Sequence, residues 1–178
     1  MQLLLNREGN ISVFRVGLVV GILGLLGVGL GFLSLQLEVA SRQQPFNVAV
    51  FPGASELDRG ASPSRPRSGQ LVRYIVSGVT AEEVAAFYQA ELDKHLGQNG
   101  STQGRQLCVR TPTAGNYETY REGNGTLPYK YDCTFDNTFL DNVQMTKIQI
   151  HPGVRDDINN YNFEGSIIIL YDQTWSRP

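Results

Sequence analysis

The stretch from Val16 to Leu37 constrains this chain most, because its 22 residues carry no charge. Ser34 and Gln36 supply the only polar side chains within it. A helix of this length rises about 1.5 Å per residue and spans roughly 33 Å, enough for the hydrocarbon core of a bilayer. The sequence therefore predicts a transmembrane helix over 16–37, with everything after it on one side of a membrane.

Basic residues on either side of this stretch predict its orientation. Arg7 and Arg15 precede it, whereas Arg42 is the nearest basic residue after it. Because Lys and Arg are enriched on the cytoplasmic side, we expect 1–15 to be cytoplasmic and the C-terminal domain to be periplasmic or extracellular. A cleaved signal peptide is the alternative. Its apolar core is shorter, about 7–15 residues, so an uncleaved single-pass anchor in the cell membrane is the better interpretation.

Glycines line one side of the predicted helix. At about 100° per residue, five of its six glycines fall within an arc of about 120°, and Gly29 lies outside it. The five are Gly17, Gly21, Gly24, Gly27 and Gly31. Such a face lets two membrane helices approach closely. We therefore expect it to pack against integral membrane protein subunits, with a homodimer as the alternative.

After the anchor, the sequence predicts a juxtamembrane segment, 38–44, and one extracytoplasmic domain, 45–178. The net charge is -2, so no basic surface suited to nucleic acid is expected, and the lipid bilayer is the expected environment of the anchor. Within the domain, 54–70 is rich in Arg, Ser, Pro and Gly. That composition buries little apolar surface and predicts a mobile loop.

The domain pattern predicts an α+β fold. Thr80 and Glu83 have the spacing of a capping box at the start of a helix, 81–96, which Gly97 is expected to end. A strand over 143–151 changes its apolar parity, which predicts a bulge near Thr146 and Lys147. The other predicted strands are 45–51, 71–76, 106–110, 128–135 and 166–171, the last apolar on both faces and therefore central. We expect an antiparallel sheet of about six strands packed on a single helix.

Three stretches resemble a known type of domain. They are Val50-Phe51-Pro52-Gly53-Ala54, Arg73-Tyr74-Ile75-Val76-Ser77 and the helical run from Ala81 to Leu92. Together they are similar to small anchored or secreted bacterial extracytoplasmic domains with a Pro-Gly-Ala turn, a strand and a Glu-Glu-Val…Phe-Tyr…Leu helix. A Gly-Trp often follows the helix in those domains, whereas Gln98 follows Gly97 here. The resemblance implies a fold and a location, and it carries over no functional residue.

The two cysteines, Cys108 and Cys133, lie on two predicted strands. An extracytoplasmic thiol pair is normally oxidised, so we predict a disulfide, with two separate buried thiols as the alternative. The Cys-x-x-Cys spacing of a redox-active pair and the Cys-x-x-Cys-His motif of covalent haem are both missing from the sequence.

Other candidate sites each have a simpler structural interpretation. The oxygen-rich run from Asp156 to Glu164 could bind calcium, but it lacks the EF-hand spacing, and Asx residues often serve turns. Four tyrosines, at 117, 120, 129 and 131, could form a sugar- or partner-binding surface, or Tyr129 and Tyr131 could pack against the helix. His95 and His151 have no evident partner. Asn99 and Asn124 begin glycosylation sequons. We therefore predict no metal and no cofactor.

The leading functional hypothesis is a non-enzymatic accessory subunit of a larger membrane complex, docked through its glycine-lined helix. Electron-transport complexes are the class of host that we expect. The alternative is a membrane-anchored extracytoplasmic binding module for a glycan, peptide or small ligand. It predicts a concave, aromatic-lined pocket on the sheet face away from the helix. An enzyme would need His151 or a carboxylate such as Asp132 to converge with residues from the loops.

Overall fold

A computed structural model describes residues 13–62, 68–99, 107–139 and 141–176. The chain divides into two units, Met1–Ser41 and Arg42–Pro178. Of the first unit, the structure describes helix α1, Val13–Ser41. Its Val16–Ser41 part is long and apolar enough to cross a membrane, and its most apolar window is unburied. This fits a membrane anchor, and a signal sequence has the same character. Most of the predicted cytoplasmic segment, 1–15, lies outside the described residues.

In its described residues, the second unit contains a six-stranded antiparallel sheet and one helix. In chain order its elements are β1 (Ser55–Ala61), β2 (Gly69–Ser77), α2 (Ala81–Asn99), β3 (Val109–Thr111), β4 (Lys130–Asp136), β5 (Gln144–Pro152), β6 (Arg155–Asp156), β7 (Tyr161–Asn162) and β8 (Ser166–Trp175). The strand order is β1-β2-β8-β5-β4-β3, and β6 and β7 form a separate hairpin. The predicted α+β fold, with an apolar N-terminal helix before the sheet, is confirmed.

Strand β8 lies at the centre of the sheet, between β2 and β5. Ile167, Ile168 and Ile169 are all buried, although successive side chains of a strand point to opposite faces. Both faces of β8 are therefore covered, which confirms the prediction of a central strand.

Helix α2 begins with the predicted capping box. The Thr80 amide donates to Glu83 Oε2 at 2.7 Å, and the Glu83 amide donates to Thr80 Oγ1 at 3.2 Å. The helix buries Val84, Tyr88 and Leu92 completely against the sheet. It continues to Asn99, so the predicted stop at Gly97 is wrong. A glycine costs about 1 kcal/mol in a helix, which the last turn tolerates.

The predicted strand 45–51 is wrong, because these residues have no regular secondary structure and join no sheet. Side-chain hydrogen bonds hold this segment, rather than the backbone hydrogen bonds of a strand ladder. The carbonyl of Phe46 accepts hydrogen bonds from Thr146 Oγ1 at 2.8 Å and from Gln173 Nε2 at 2.7 Å. The Tyr171 hydroxyl donates to the carbonyl of Ala49 at 3.0 Å. This segment therefore lies on the same face of the sheet as α2.

Two further predictions are wrong. The predicted loop 54–70 contains strand β1, which pairs with β2 at the sheet edge and is exposed at every residue; 63–67 lie outside the described residues. Strand β5 has no bulge, because its register with β4 and β8 is continuous. The apolar parity changes between Met145 and Ile148 because two inward positions are polar. Gln144 and Thr146 occupy them and bond to the carbonyls of Gln44 and Phe46.

Candidate functional site

The sheet has two faces with different cover. Val72, Ile148, Ile169 and Tyr171 share one face and form the hydrophobic core with α2. The neighbouring positions point to the other face, called here the far face. Arg73 on β2 is opposite Leu170 on β8, and His151 on β5 is opposite Ile168 on β8. The far face therefore carries an apolar strip on β8 between two polar side chains.

A second layer of chain covers this strip, and we call it the roof: residues 123–127 and 153–163. Backbone hydrogen bonds join its two parts, from the Gly125 amide to the Arg155 carbonyl at 2.9 Å and from the Asp157 amide to the Gly123 carbonyl at 2.8 Å. At Gly125, where φ is +65°, a Cβ atom would lie 2.6 Å from a carboxylate oxygen of Asp156. The positive φ therefore favours glycine at this position, and a side chain here would displace the Asp156 carboxylate and the Tyr161 hydroxyl.

Between the roof and the far face is a cavity of about 530 Å³. Such a volume lies in the range of small-ligand sites, about 300–1,000 Å³. The floor is made of Arg73, His151, Ile168 and Leu170, and the roof contributes Gly125, Leu127, Val154, Tyr161 and Phe163. Five of these nine residues are aliphatic or phenylalanine side chains. The cavity lining thus combines five apolar side chains with three polar ones.

Arg73 is the charged member of the lining. Its Nη1 lies 3.0 Å from Asp58 Oδ2, and both side chains are partly exposed. The pairing of β1 with β2 shifts register between Glu56 and Asp58, so that Leu57 is an extra residue in the edge strand. This bulge brings Asp58, rather than Leu57, opposite Arg73.

His151 is a partly buried histidine at the other margin of the strip. Its Nδ1 lies 2.8 Å from the carbonyl oxygen of Pro152. Because that oxygen can only accept, Nδ1 carries the proton of the neutral ring and Nε2 carries the lone pair. Burial lowers the pKa of His151, and the positive charges of Arg73 and Lys130 lower it further. The imidazole is therefore neutral near pH 7.

The oxygen-rich turn, predicted as a weak calcium candidate, has a structural role. Asp156 Oδ1 accepts from the amides of Ile158 at 2.9 Å and Asn159 at 3.0 Å, and Oδ2 accepts from Asn159 Nδ2 at 2.6 Å. The Asn159 side chain, its amide and the Tyr161 hydroxyl all lower the pKa of Asp156. These bonds use the carboxylate oxygens to shape the roof, and they hold the Tyr161 hydroxyl beside Gly125.

The predicted disulfide agrees with the structure, in which the sulfurs of Cys108 and Cys133 are bonded at 2.03 Å. Cys133 is fully buried on the α2 face. The bond joins the chain entering β3 to β4, next to the sheet edge. It lies on the opposite face from the cavity.

The five predicted packing glycines lie along α1, in the unit that the cavity does not involve. A Cβ atom added at Gly17, Gly21, Gly24, Gly27 or Gly31 would meet nothing within 4 Å. Among the described residues, nothing covers the glycine face. Its packing partner stays a prediction.

Tyr131 contacts α2, because its hydroxyl donates to Glu82 at 3.2 Å, and its ring lies edge-on to Tyr129 at 6.2 Å. Packing, the simpler interpretation of these two tyrosines, therefore describes them. The ring of His95 lies 4.9 Å from that of Phe46. Sequence reasoning did not connect Arg73, Tyr161 and Phe163 with a common site. The alternation of side chains along β2 and β8 could have placed Arg73 on the far face, but no sequence signal indicated Tyr161 or Phe163.

No protein-family model matches the chain, and neither a curated protein nor a solved structure matches it. The cavity and helix α1 are therefore the features from which function has to be inferred.

Proposed function

We propose that this chain is a single-pass, membrane-anchored binding module whose extracytoplasmic domain takes up a small, mainly apolar molecule. The observation that carries the proposal is the cavity of about 530 Å³ between the far face and the roof. It lies on the sheet face away from α2, and Tyr161 and Phe163 line it. A concave apolar site with a few converging polar groups is the usual form of a small-molecule site.

The way in which the roof is held supports this function. The space above Ile168 and Leu170 is open to solvent, and Leu170, Tyr161 and Phe163 are partly exposed beside it. Backbone hydrogen bonds within the roof hold it in place, including one from Phe163 N to Val154 O at 3.1 Å. A roof held by its own backbone leaves room for a guest.

Binding without chemical conversion fits the polar groups of the site. The Nδ1 of His151 bonds to a backbone carbonyl rather than to a carboxylate that would stabilise an imidazolium. With the N-terminus in the cytoplasm, the domain would lie in the periplasm or outside the cell. An oxidising compartment of that kind is where the Cys108–Cys133 bond would persist.

The test uses the full chain in nanodiscs of zwitterionic lipid and an uncharged probe, 4-phenylbutan-1-ol, followed by ligand-observed NMR. We expect saturation transfer from the protein beyond that of empty nanodiscs. Leu170→Trp, which fills the cavity floor, should abolish the difference. Lys147→Trp is the matched control, because Lys147 lies on the same sheet face but outside the cavity and is exposed. Equal signals from both variants would refute the proposal.

A second function, which is compatible with the first, is that of an accessory subunit of a larger membrane complex. The observation that favours it is the open glycine face of α1, on which any added Cβ atom would meet nothing within 4 Å. Close helix packing is how membrane helices associate. Integral membrane subunits would be the partners, and an electron-transport complex would be the host.

Two variants test the accessory function. Gly24→Leu puts a bulky side chain on the glycine face, and Gly29→Leu puts the same side chain outside it. After affinity purification in mild detergent, we expect the wild type and Gly29→Leu to retain a membrane partner and Gly24→Leu to lose it. A wild-type chain that purifies alone and monomeric would rule this function out, and a symmetric dimer would identify the second copy as the partner.

A further inference from the structure

The charge of the cavity lining indicates which molecules it would accept. Among the described residues that line it, Arg73 is the one with a formal charge. Three aspartates of the far face lie outside the lining: Asp58 pairs with Arg73, Asp132 pairs with Lys130 Nζ at 2.9 Å, and Asp172 accepts from Ser62 Oγ at 2.6 Å. The described part of the lining therefore presents one guanidinium and no carboxylate to a guest.

The guanidinium of Arg73 has unused donor capacity. It carries five N–H donors, and within the described part of the chain Asp58 is its one ion-pair partner. The ion pair joins Nη1 to an Asp58 side chain that is 52% exposed. The two oxygens of one carboxylate do not use five donors, so a guest at the cavity margin could bond to those that remain, and it could also displace the exposed carboxylate of Asp58.

The remaining groups determine the shape of such a guest. Arg73 and His151 come from the two strands that flank β8, so the apolar strip of Ile168 and Leu170 lies between them. Phe163 covers the strip from the roof. A neutral His151 offers no negative charge to a cation, and Arg73 would repel one. An apolar body with an anionic end matches this arrangement.

Resting on the binding function proposed above, we propose that the guest is an amphipathic monoanion whose carboxylate binds Arg73 and whose apolar body lies over Ile168 and Leu170. Asp58 then acts as a competing carboxylate, which the β1 bulge holds opposite Arg73. Charge-assisted hydrogen bonds to a guanidinium are short and strong, so the head group should dominate selectivity.

The experiment compares three probes that share one apolar body: 4-phenylbutyrate, 4-phenylbutan-1-ol and 4-phenylbutylamine. Each is titrated calorimetrically at pH 7 into the full chain in zwitterionic nanodiscs, with empty nanodiscs as the blank. We expect the carboxylate to bind at least about tenfold more tightly than the alcohol, and the amine to bind more weakly than either.

Four variants assign the preference to particular groups. Arg73→Gln should reduce carboxylate affinity to that of the alcohol, and Arg73→Lys should retain part of the preference because it keeps the charge. Asp58→Asn should tighten carboxylate binding about threefold, because it removes the competitor. Lys147→Gln removes a positive charge from the same face outside the cavity and should change nothing. Thermal unfolding of each variant identifies any loss of fold, and the gain in Asp58→Asn cannot come from misfolding.

Each outcome separates this inference from the binding function beneath it. If the alcohol binds as tightly as the carboxylate, or if Lys147→Gln weakens carboxylate binding as much as Arg73→Gln does, the inference is wrong and the binding function stands. If no probe binds to the wild type, the binding function is wrong, and the inference fails with it.

Discussion

The same strands form a closely packed core on one face of the sheet and line a cavity on the other. On the α2 face, Phe135, Ile148, Ile150 and Ile169 are each at most 1% exposed. On the far face, Arg73, His151 and Leu170 remain partly exposed around a cavity of about 530 Å³. Because side chains alternate along a strand, residues one position apart belong to different environments.

The two faces also differ in the partners of their polar groups. On the α2 face they bond to protein: the hydroxyls of Tyr88 and Tyr171 lie 2.7 Å apart, and the Phe51 amide donates to Tyr88 at 3.1 Å. Burial raises the pKa of Tyr88 to about 12, so it stays protonated as a donor. On the far face, Arg73 also pairs with protein, through Asp58, but its guanidinium lines the cavity. We infer that one face stabilises the domain and the other serves binding.

The largest expected difference between the two faces is in the free energy of unfolding, and a matched pair of leucines measures it. Leu92 of α2 is fully buried on the closed face, so Leu92→Ala should lower the free energy of unfolding by about 2–5 kcal/mol. Leu170→Ala, beside an existing cavity, should cost about 1 kcal/mol. Urea titration of the full chain in non-ionic detergent, followed by the fluorescence of Trp175, measures both. Equal losses would show that the far face is as tightly packed as the core.

A pair of threonines sharpens the comparison with a smaller effect. Thr146 is buried on the α2 face and bonds to the Phe46 carbonyl, so Thr146→Val should cost about 1 kcal/mol. Gln173 donates to the same carbonyl, which keeps that oxygen satisfied and limits the loss. Thr134→Val, on the far face of β4, is the control and should be nearly neutral. The same urea titration applies, and a neutral Thr146→Val would mean that the 45–51 segment does not depend on this bond.

These threonines also show where sequence reasoning succeeded and failed. Periodicity and the capping box predicted α2 and central strand β8, because local chemistry and burial agree there. Apolar periodicity failed at β5, because Gln144 and Thr146 face inward there. Their partners are carbonyls about 100 residues away in the chain, at Gln44 and Phe46. A parity rule treats a buried polar residue as exposed unless such a distant partner is known.

The cavity was harder to predict than the fold. The binding-module alternative predicted a pocket on the face away from the helix, but not its residues. The composition of 54–70 predicts a loop where strand β1 lies, so it gives no indication of the Asp58–Arg73 pair. The roof depends on the close approach of Gly125 to Asp156. Pairing between segments 30 residues apart leaves no local pattern in the sequence.

The smallest expected effect is on the pH dependence of the free energy of unfolding, and it comes from His151 on the far face. Burial lowers the pKa of His151 in the native chain below the ordinary value, about 6.5, that it regains on unfolding. Between those two pKa values, the unfolded chain holds a proton that the native chain does not, so the free energy of unfolding falls as pH decreases. Above about pH 7.5 both states are neutral and the effect vanishes.

His151→Gln tests this by removing the titrating group and keeping an amide that can donate to the Pro152 carbonyl. Urea midpoints of the full chain at pH 7.5 and 5.5 should differ less in the variant than in the wild type. This range avoids the carboxylates of Glu83 and Asp156, whose lowered pKa values confine their loss of stability to more acidic solution. Identical pH dependence in the two proteins would mean that the imidazole is as accessible to solvent in the native chain as in the unfolded one. His151 would then be an open cavity wall rather than a desolvated one, and the far face would be looser than its roof implies.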